Sequence, residues 1–249
     1  MDLRERQLLD EVRVKSLFEE EGGLIRKYKQ FVVGDQGWWA LFKYELIVTL
    51  FGWIPGALGL ALRYLFFPFL FKKVGKKVIF GRDMNIRSPH KITIGDHVIF
   101  DDDVFLDAKG TTNSGIRIGN KIFIGQNTII QTKNGDIILE DEANIGYQCV
   151  LSSTNLLKIG ARTFIGPFCL LMSGGEHDVN SPHMEPGRSL PLKIGEDCWI
   201  AAKVTVFQDC HIGNHSVVGN ASLVNSPIPS NSIAVGTPAR VVKHLSPKE

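Results

Sequence analysis

The chain has 249 residues, with 28 Lys and Arg against 26 Asp and Glu, so its formal charge is only +2 at neutral pH. That balance, without a stripe of basic and aromatic residues, gives no nucleic-acid footprint, and four scattered cysteines imply no disulfide framework. The length admits one long domain or a repeat domain with an appendage.

Residues 1–33 read as one or two short amphipathic helices ending near Gly22–Gly23. This charged start does not resemble a cleavable signal peptide, which leads to the expectation that the C-terminal domain stays in the cytoplasm. Trp38 to Phe71 follows, and it is apolar almost throughout. A helix needs about 20 apolar residues to span a bilayer. Here Pro55 splits the stretch, Gly52, Gly56 and Gly59 loosen it, and Arg63 interrupts its second half. Pro55 suits the first turn of a new helix better than a helix middle. The pattern predicts a helix–break–helix that lies in the membrane interface or dips into one leaflet. A straight transmembrane span and a hairpin packed on the following domain are the alternatives. Lys72, Lys73, Lys76, Lys77 and Arg82 come next without an acid among them, which suits the anionic cytoplasmic leaflet. Arg63 is expected to snorkel to the same headgroup level.

From about Phe80 a branched aliphatic or aromatic residue returns every six positions. Four residues after each comes a small or β-branched residue, as in Thr128, Cys198, Val204, Cys210, Ser216 and Ser222, and Gly often follows the aliphatic directly. Such a unit is a short strand and a tight corner, which buries its apolar side chain only by stacking on copies of itself. Three six-residue faces make one turn of eighteen. Phe80/Ile86 start the first turn, followed by Ile94/Phe100/Leu106, Ile118/Ile124/Ile130, Leu139/Ile145/Leu151, Ile159/Ile165/Leu171, Ile194/Ile200/Val206 and Ile212/Val218/Val224. The expected fold is mainly β, a parallel β-helix of about seven coils with an N-terminal helical region. Its divisions are residues 1–77 (helical, membrane-associating), 78–235 (coil) and 236–249 (C-terminal tail). Cys149, Cys169, Cys198 and Cys210 all occupy the small inward slot, so they read as buried hydrophobes rather than nucleophiles or metal ligands.

The beat slips between turns and never within one, so every insertion should leave the coil at the same corner. The longest gap runs from Leu171 to Ile194 and contains SGGEHDVNSPHMEPGRSLP. Insertions stacked on one corner are where binding loops collect. This one carries Glu176, His177, Asp178 and His183, and Gly174–Gly175 allow a sharp turn beside His177. Histidine is the side chain whose basicity matches proton abstraction near neutral pH.

Gly174–Asp178 (GGEHD), Ile194–Val204 (IGEDCWIAAKV), Ile212–Val224 (IGNHSVVGNASLV) and Val235–Lys243 (VGTPARVVK) together resemble the hexapeptide-repeat acyltransferases, the left-handed β-helix family, and most of all its sugar O-acetyltransferase branch. With the repeats, the resemblance covers about residues 78–243, and the left-handed winding comes from it alone. It implies direct transfer of an acyl group from acetyl-CoA or another acyl-CoA to an acceptor hydroxyl or amine, without a metal. His177 would be the general base, and the backbone N–H of Ala202 would meet the oxyanion. Trp199 would wall the reacting centre, Asn220 would lie along the pantetheine arm, and Arg240 and Lys243 would hold the coenzyme's phosphates. Gln148 would bind the acceptor, and Asp178 would either bind the acceptor or shape the loop. The family assembles as homotrimers with each active site between neighbouring subunits. Two positions depart from it: Asn225-Ser226-Pro227 replaces a segment that often carries a phosphate-binding lysine, and Gln148 stands where an asparagine is common.

The apolar segment before the coils adds the expectation of a membrane-surface location on the cytoplasmic side, with a sugar or lipid-linked saccharide of surface polysaccharide or glycolipid synthesis as acceptor. Alternatives are an N-acyltransferase of an amino sugar and a non-catalytic scaffold. A metal-dependent hydratase on the same coil wants paired histidines on stacked turns. His97 and His215 share a phase but lie on distant turns, and His183 falls in the loop.

Overall fold

The computed structural model describes residues 23–175 and 187–246. Three parallel sheets wrap around one core, and their registers follow the six-residue beat. Ile94, Ile118, Leu139, Ile159, Ile194 and Ile212 stack in the first sheet. Phe100, Ile124, Ile145, Ile165, Ile200 and Val218 stack in the second. Ile86, Leu106, Ile130, Leu151, Leu171, Val206 and Val224 stack in the third. All of these are buried. The coil is thus a parallel β-solenoid of about seven turns. It starts earlier than the beat suggests: strand Lys73–Val74 pairs with Ile92–Ile94, giving the first turn its third face. The periodicity misses it because Val74 is only half-buried at the coil's open edge.

Glycine does not supply the left-handed turn at the corners; that conformation belongs to residues such as His97, Gln148, Phe168, Lys203 and His215, three positions after each aliphatic. The glycine next to the aliphatic is there for clearance instead. A Cβ on Gly166 would sit 2.8 Å from Ala201 C and Ala202 N of the next turn. The four cysteines are free and buried. All four also donate across turns: Cys149 Sγ to Gly166 O (3.2 Å), Cys169 Sγ to Ala201 O (3.1 Å), Cys198 Sγ to Gly213 O (3.1 Å) and Cys210 Sγ to Val224 O (3.6 Å). Thr163 Oγ1, in the same slot, donates to Gly195 O at 2.7 Å.

Helices α1 (Leu24–Val33), α2 (Trp38–Phe51) and α3 (Gly56–Phe66) close the first turn. The break between α2 and α3 falls where Pro55 demands it. Leu41, Tyr44, Ile47, Phe67, Leu70 and Phe71 join the coil's own core. The ring of Phe80 stacks between Phe71 at 5.6 Å and Phe100 at 5.7 Å, carrying the apolar interior from the helices into the coil. Arg63 does not snorkel. It is buried and donates to Ile54 O (2.7 Å) and Phe51 O (3.4 Å), carbonyls that the helix break leaves open, and to Phe80 O (2.9 Å) of the coil. No helix among the described residues is long and apolar enough to cross a membrane.

At the other end the repeat decays gradually. Ile228 bridges to Ile212 and Ala234 pairs with Val218. Strand Ala239–His244 then turns back antiparallel on Ser232–Gly236, so much of the expected tail belongs to the second sheet.

Candidate active site

All the described insertions leave between the third sheet and the first, as the slipping beat predicts. The stem of the longest is held over the preceding turn. Gly174 and Gly175 both take positive φ, +83° and +94°, and a Cβ on Gly174 would collide with Thr154 Oγ1. Across the stem, Thr154 Oγ1 and Ser189 Oγ share a hydrogen bond of 2.6 Å, and Asn155 Nδ2 donates to Ser189 O at 2.7 Å. Ser173 Oγ donates to Leu190 O (3.1 Å), and Leu190 N donates to Gln208 Oε1 (3.0 Å). Both ends of the loop are therefore fixed at one corner. Glu176, His177, Asp178 and His183 lie outside the described residues; His177 follows Gly175 by two positions.

The remaining candidates lie elsewhere on the coil. Trp199 is half-exposed on the second sheet, paired between Phe164 and Val217. Ala202 and Asn220 are brought together, but in an unexpected way: Ala202 N–H donates to Asn220 Oδ1 at 3.0 Å. The N–H taken for an oxyanion donor is already engaged, and Asn220 has a structural task. The same bond recurs up the coil. Lys76 N donates to Asp96 Oδ1 (2.7 Å), Asp96 N to Asn120 Oδ1 (2.8 Å), Asn120 N to Asp141 Oδ1 (2.9 Å) and Glu196 N to Asn214 Oδ1 (3.0 Å). Hydrogen bonds from Asn120, its backbone N–H first, pull the Asp141 carboxyl below its usual range. The signal was readable: an Asn or Asp two positions after the aliphatic.

Arg240 and Lys243 are exposed on the returning strand. Residues three apart on a regular strand face opposite ways. A bulge opposite Ile233/Ala234 changes this, because Arg240 pairs with Val235 while Lys243 pairs with Ile233. Val235 and Ile233 stand two apart on their strand, so both basic side chains belong to one face. That row continues from Lys243 through Ile233 and Val217 to Trp199. Three strand spacings separate its ends, roughly 14 Å.

Gln148 stands apart. It is an exposed left-handed corner residue on the fourth turn, between the second and third sheets, and its N–H donates to Gln126 O at 2.8 Å. Lys203, beside Ala202, occupies the same corner two turns on, a separation of roughly 10 Å. Within one chain, then, the loop stem and the Trp199–Ala202 region occupy different corners of the triangular coil. Burial pushes the Cys198 thiol up, which keeps it protonated and makes it a poor nucleophile despite its neighbour Trp199. No cluster of three His, Cys, Asp or Glu suited to a metal occurs among the described residues. His97 and His215 each turn a corner, and His215 Nδ1 lies 3.8 Å from Asp197 Oδ2.

No family model matches the chain. It is 29% identical over 212 residues to WcaF of Escherichia coli K12, assigned as a colanic acid biosynthesis acetyltransferase; the match covers 84% of this chain and 85% of that protein. It is 31% identical over 132 residues to Rv3034c of Mycobacterium tuberculosis, assigned as an acetyltransferase, covering 52% of this chain but only 44% of that protein. Among solved structures, the N-acyltransferase AntD of Bacillus cereus, in complex with dTDP and 3-hydroxybutyryl-CoA, aligns over 71% of this chain and 84% of its own at 22% identity and a TM-score of 0.49. The sequence relatives, one of them matched along most of both chains, support an acyltransferase built on this solenoid.

Proposed function

We propose that the protein is an acyl-CoA-dependent O-acyltransferase, with acetyl-CoA as donor and a sugar or lipid-linked saccharide of surface polysaccharide or glycolipid synthesis as acceptor. The observation that carries this is the match to WcaF along 84% of the chain, which spans helices and coil together. In the proposed reaction His177 takes the proton from the acceptor hydroxyl as its oxygen attacks the thioester carbonyl. The tetrahedral oxyanion forms beside Ala202 N–H and collapses with cleavage of the C–S bond, and coenzyme A leaves as the thiol, taking the proton held by His177. For that N–H to serve, Asn220 Oδ1 must release it as the coenzyme enters, after which the Asn220 amide is free to bond the pantetheine. Trp199 offers an apolar wall. Arg240 and Lys243, on one face by virtue of the bulge, meet the phosphates. Asp178 and Gln148 are proposed to bind the acceptor.

A homotrimer supplies what one chain lacks. The loop stem and the Trp199 row sit at different corners, so a site containing both closes most simply between neighbouring subunits. The test is coenzyme release against a panel of free sugars, amino sugars and lipid-linked saccharides, with His177→Ala as control. Loss of about 10²–10⁴-fold in kcat in the variant supports the general base. Preference for an amino sugar would reassign the chemistry to nitrogen. No turnover and no coenzyme binding across the panel would leave a scaffold.

A further inference from the structure

Helices α2 and α3 bury one side against the coil and leave the other bare. On α2, Trp39, Phe42, Leu46 and Leu50 form a stripe at intervals of three and four, on the side away from the buried Leu41, Tyr44 and Ile47. Trp53 in the break, Leu58 and Leu65 seven apart on α3, and Phe69 in the turn after it are exposed as well. Trp39 is 73% exposed and Leu58 66%, values unusual for large apolar residues brought together on one surface. The face is rigid. Phe51 and Phe66 stack at 4.3 Å, Lys43 Nζ donates to Phe69 O at 2.7 Å, and Arg63 clamps the turn between the helices.

Charge identifies what covers it. Residues 24–77 hold nine Lys and Arg but only two acids, Asp35 and Glu45, in a chain whose total is +2, so the remainder is net acidic. Glu45 accepts a hydrogen bond from Tyr28 Oη at 2.7 Å, and Lys72, Lys73, Lys76 and Lys77 follow the exposed Phe69 with no acid between them. A second copy of the chain would bring this basic surface against itself, which like-charge repulsion opposes. An anionic bilayer offers the complementary charge together with an apolar layer beneath it. Three of the chain's four tryptophans, Trp38, Trp39 and Trp53, are on the helices and their junction, and tryptophan favours the headgroup level.

We infer that α2 and α3 are a docking face for an anionic membrane surface. They lie in the plane of the headgroups, with Trp39, Phe42, Leu46, Leu50, Trp53 and Leu58 inserted, and they hold the first turn of the coil beside the bilayer. This deepens the lipid-linked acceptor of the proposed function by giving that acceptor's membrane a binding surface, yet it is testable without any turnover.

The full chain is floated with vesicles of phosphatidylcholine alone or mixed with phosphatidylglycerol, at low and high salt. Flotation with the anionic vesicles, at least about tenfold stronger than with neutral ones and weakened by salt, is expected. Trp39→Ser with Trp53→Ser, both at exposed positions, should abolish it while far-UV circular dichroism is unchanged. Should that variant misfold, brominated phospholipid added to the unaltered chain provides the second readout, and most of the tryptophan emission should be quenched. No flotation, flotation indifferent to the two substitutions, or emission that brominated lipid leaves intact overturns the inference. So does lipid-free self-association that the two substitutions abolish. Coenzyme release with a free sugar requires no vesicle, so failure of docking leaves the acyl-transfer reading standing, and the converse holds equally.

Discussion

Ala202 N–H, Asn220 and Gly166 form a small unit whose parts have separable energetics. Asn220→Ala removes the acceptor from Ala202 N–H, and thermal or urea unfolding should show a loss of about 1 kcal/mol. Gly166→Ala should cost more, about 1–3 kcal/mol, because the added Cβ meets the Ala201–Ala202 peptide at 2.8 Å and backbone cannot step aside as a side chain can. If the two variants prove equally mild, the close approach of these turns is not what keeps glycine there. The cysteine slot makes the opposite prediction. Cys198→Ser keeps a donor for Gly213 O, as Thr163 and Ser216 do in the same column, and should be nearly neutral. Cys198→Leu should overpack the slot and destabilise by about 1–3 kcal/mol. These roles were half legible: the small inward slot could be read from spacing, whereas donation across turns needs the neighbouring carbonyl in place.

At the scale of elements, the returning strand carries the sharpest test. Arg240 and Lys243 are three apart yet share a face because the bulge absorbs Val242, so deleting Val242 should regularise the ladder and leave both on the same face, now two apart. In coenzyme titrations that deletion should leave the KM for acyl-CoA near the parent value, whereas Lys243→Ala should raise it by about tenfold or more for a lost charge-assisted bond, with kcat little changed. A deletion that raises the KM as much as Lys243→Ala would refute the shared face. Local sequence could not show this, since a bulge is a mismatch between two strands and neither strand encodes it alone. The helical segment has a similar history. Pro55 and its glycines marked the break correctly, but the fate of Arg63 depended on carbonyls that only the packed helices present. Removing residues 1–75 would therefore do more than detach a membrane segment. It would strip the strand Lys73–Val74 and take Phe67 and Phe71 off Phe80, so a point substitution on the exposed stripe is the cleaner probe.

For the whole molecule, pH and assembly give the decisive measurements. Burial pushes Tyr44 up to about 12 and the Cys210 thiol up to about 11, and raises Cys198 as well. The neutral forms are the ones the fold favours. Their stabilising contribution is present in full below the ordinary values of 9.0 for the thiols and 10.0 for tyrosine, and it is lost as pH rises through about 11 and about 12. Urea midpoints should accordingly hold steady up to about pH 9 and fall above it. Assembly is tested by mixing two impaired variants, His177→Ala and Arg240→Ala, at acyl-CoA concentrations well below the KM of the Arg240 variant. If each site takes its loop from one subunit and its coenzyme face from another, mixed trimers regain part of the activity. Chains that stay impaired after mixing, despite forming mixed trimers, would place the whole site within one subunit.

Sequence by itself determined the solenoid, its seven aliphatic layers, the single corner at which insertions leave and the break at Pro55. These are local or strictly periodic features, and stacking is the only way such units bury their apolar side chains. Tertiary structure decided which backbone groups were already taken, which way Arg240 and Lys243 face, why Arg63 is buried and which apolar side of the helices stays outside. Each depends on atoms brought together from distant parts of the chain. The periodicity reports only which side chains point inward; what meets them, or is left unmet on the surface, is a property of the packed molecule.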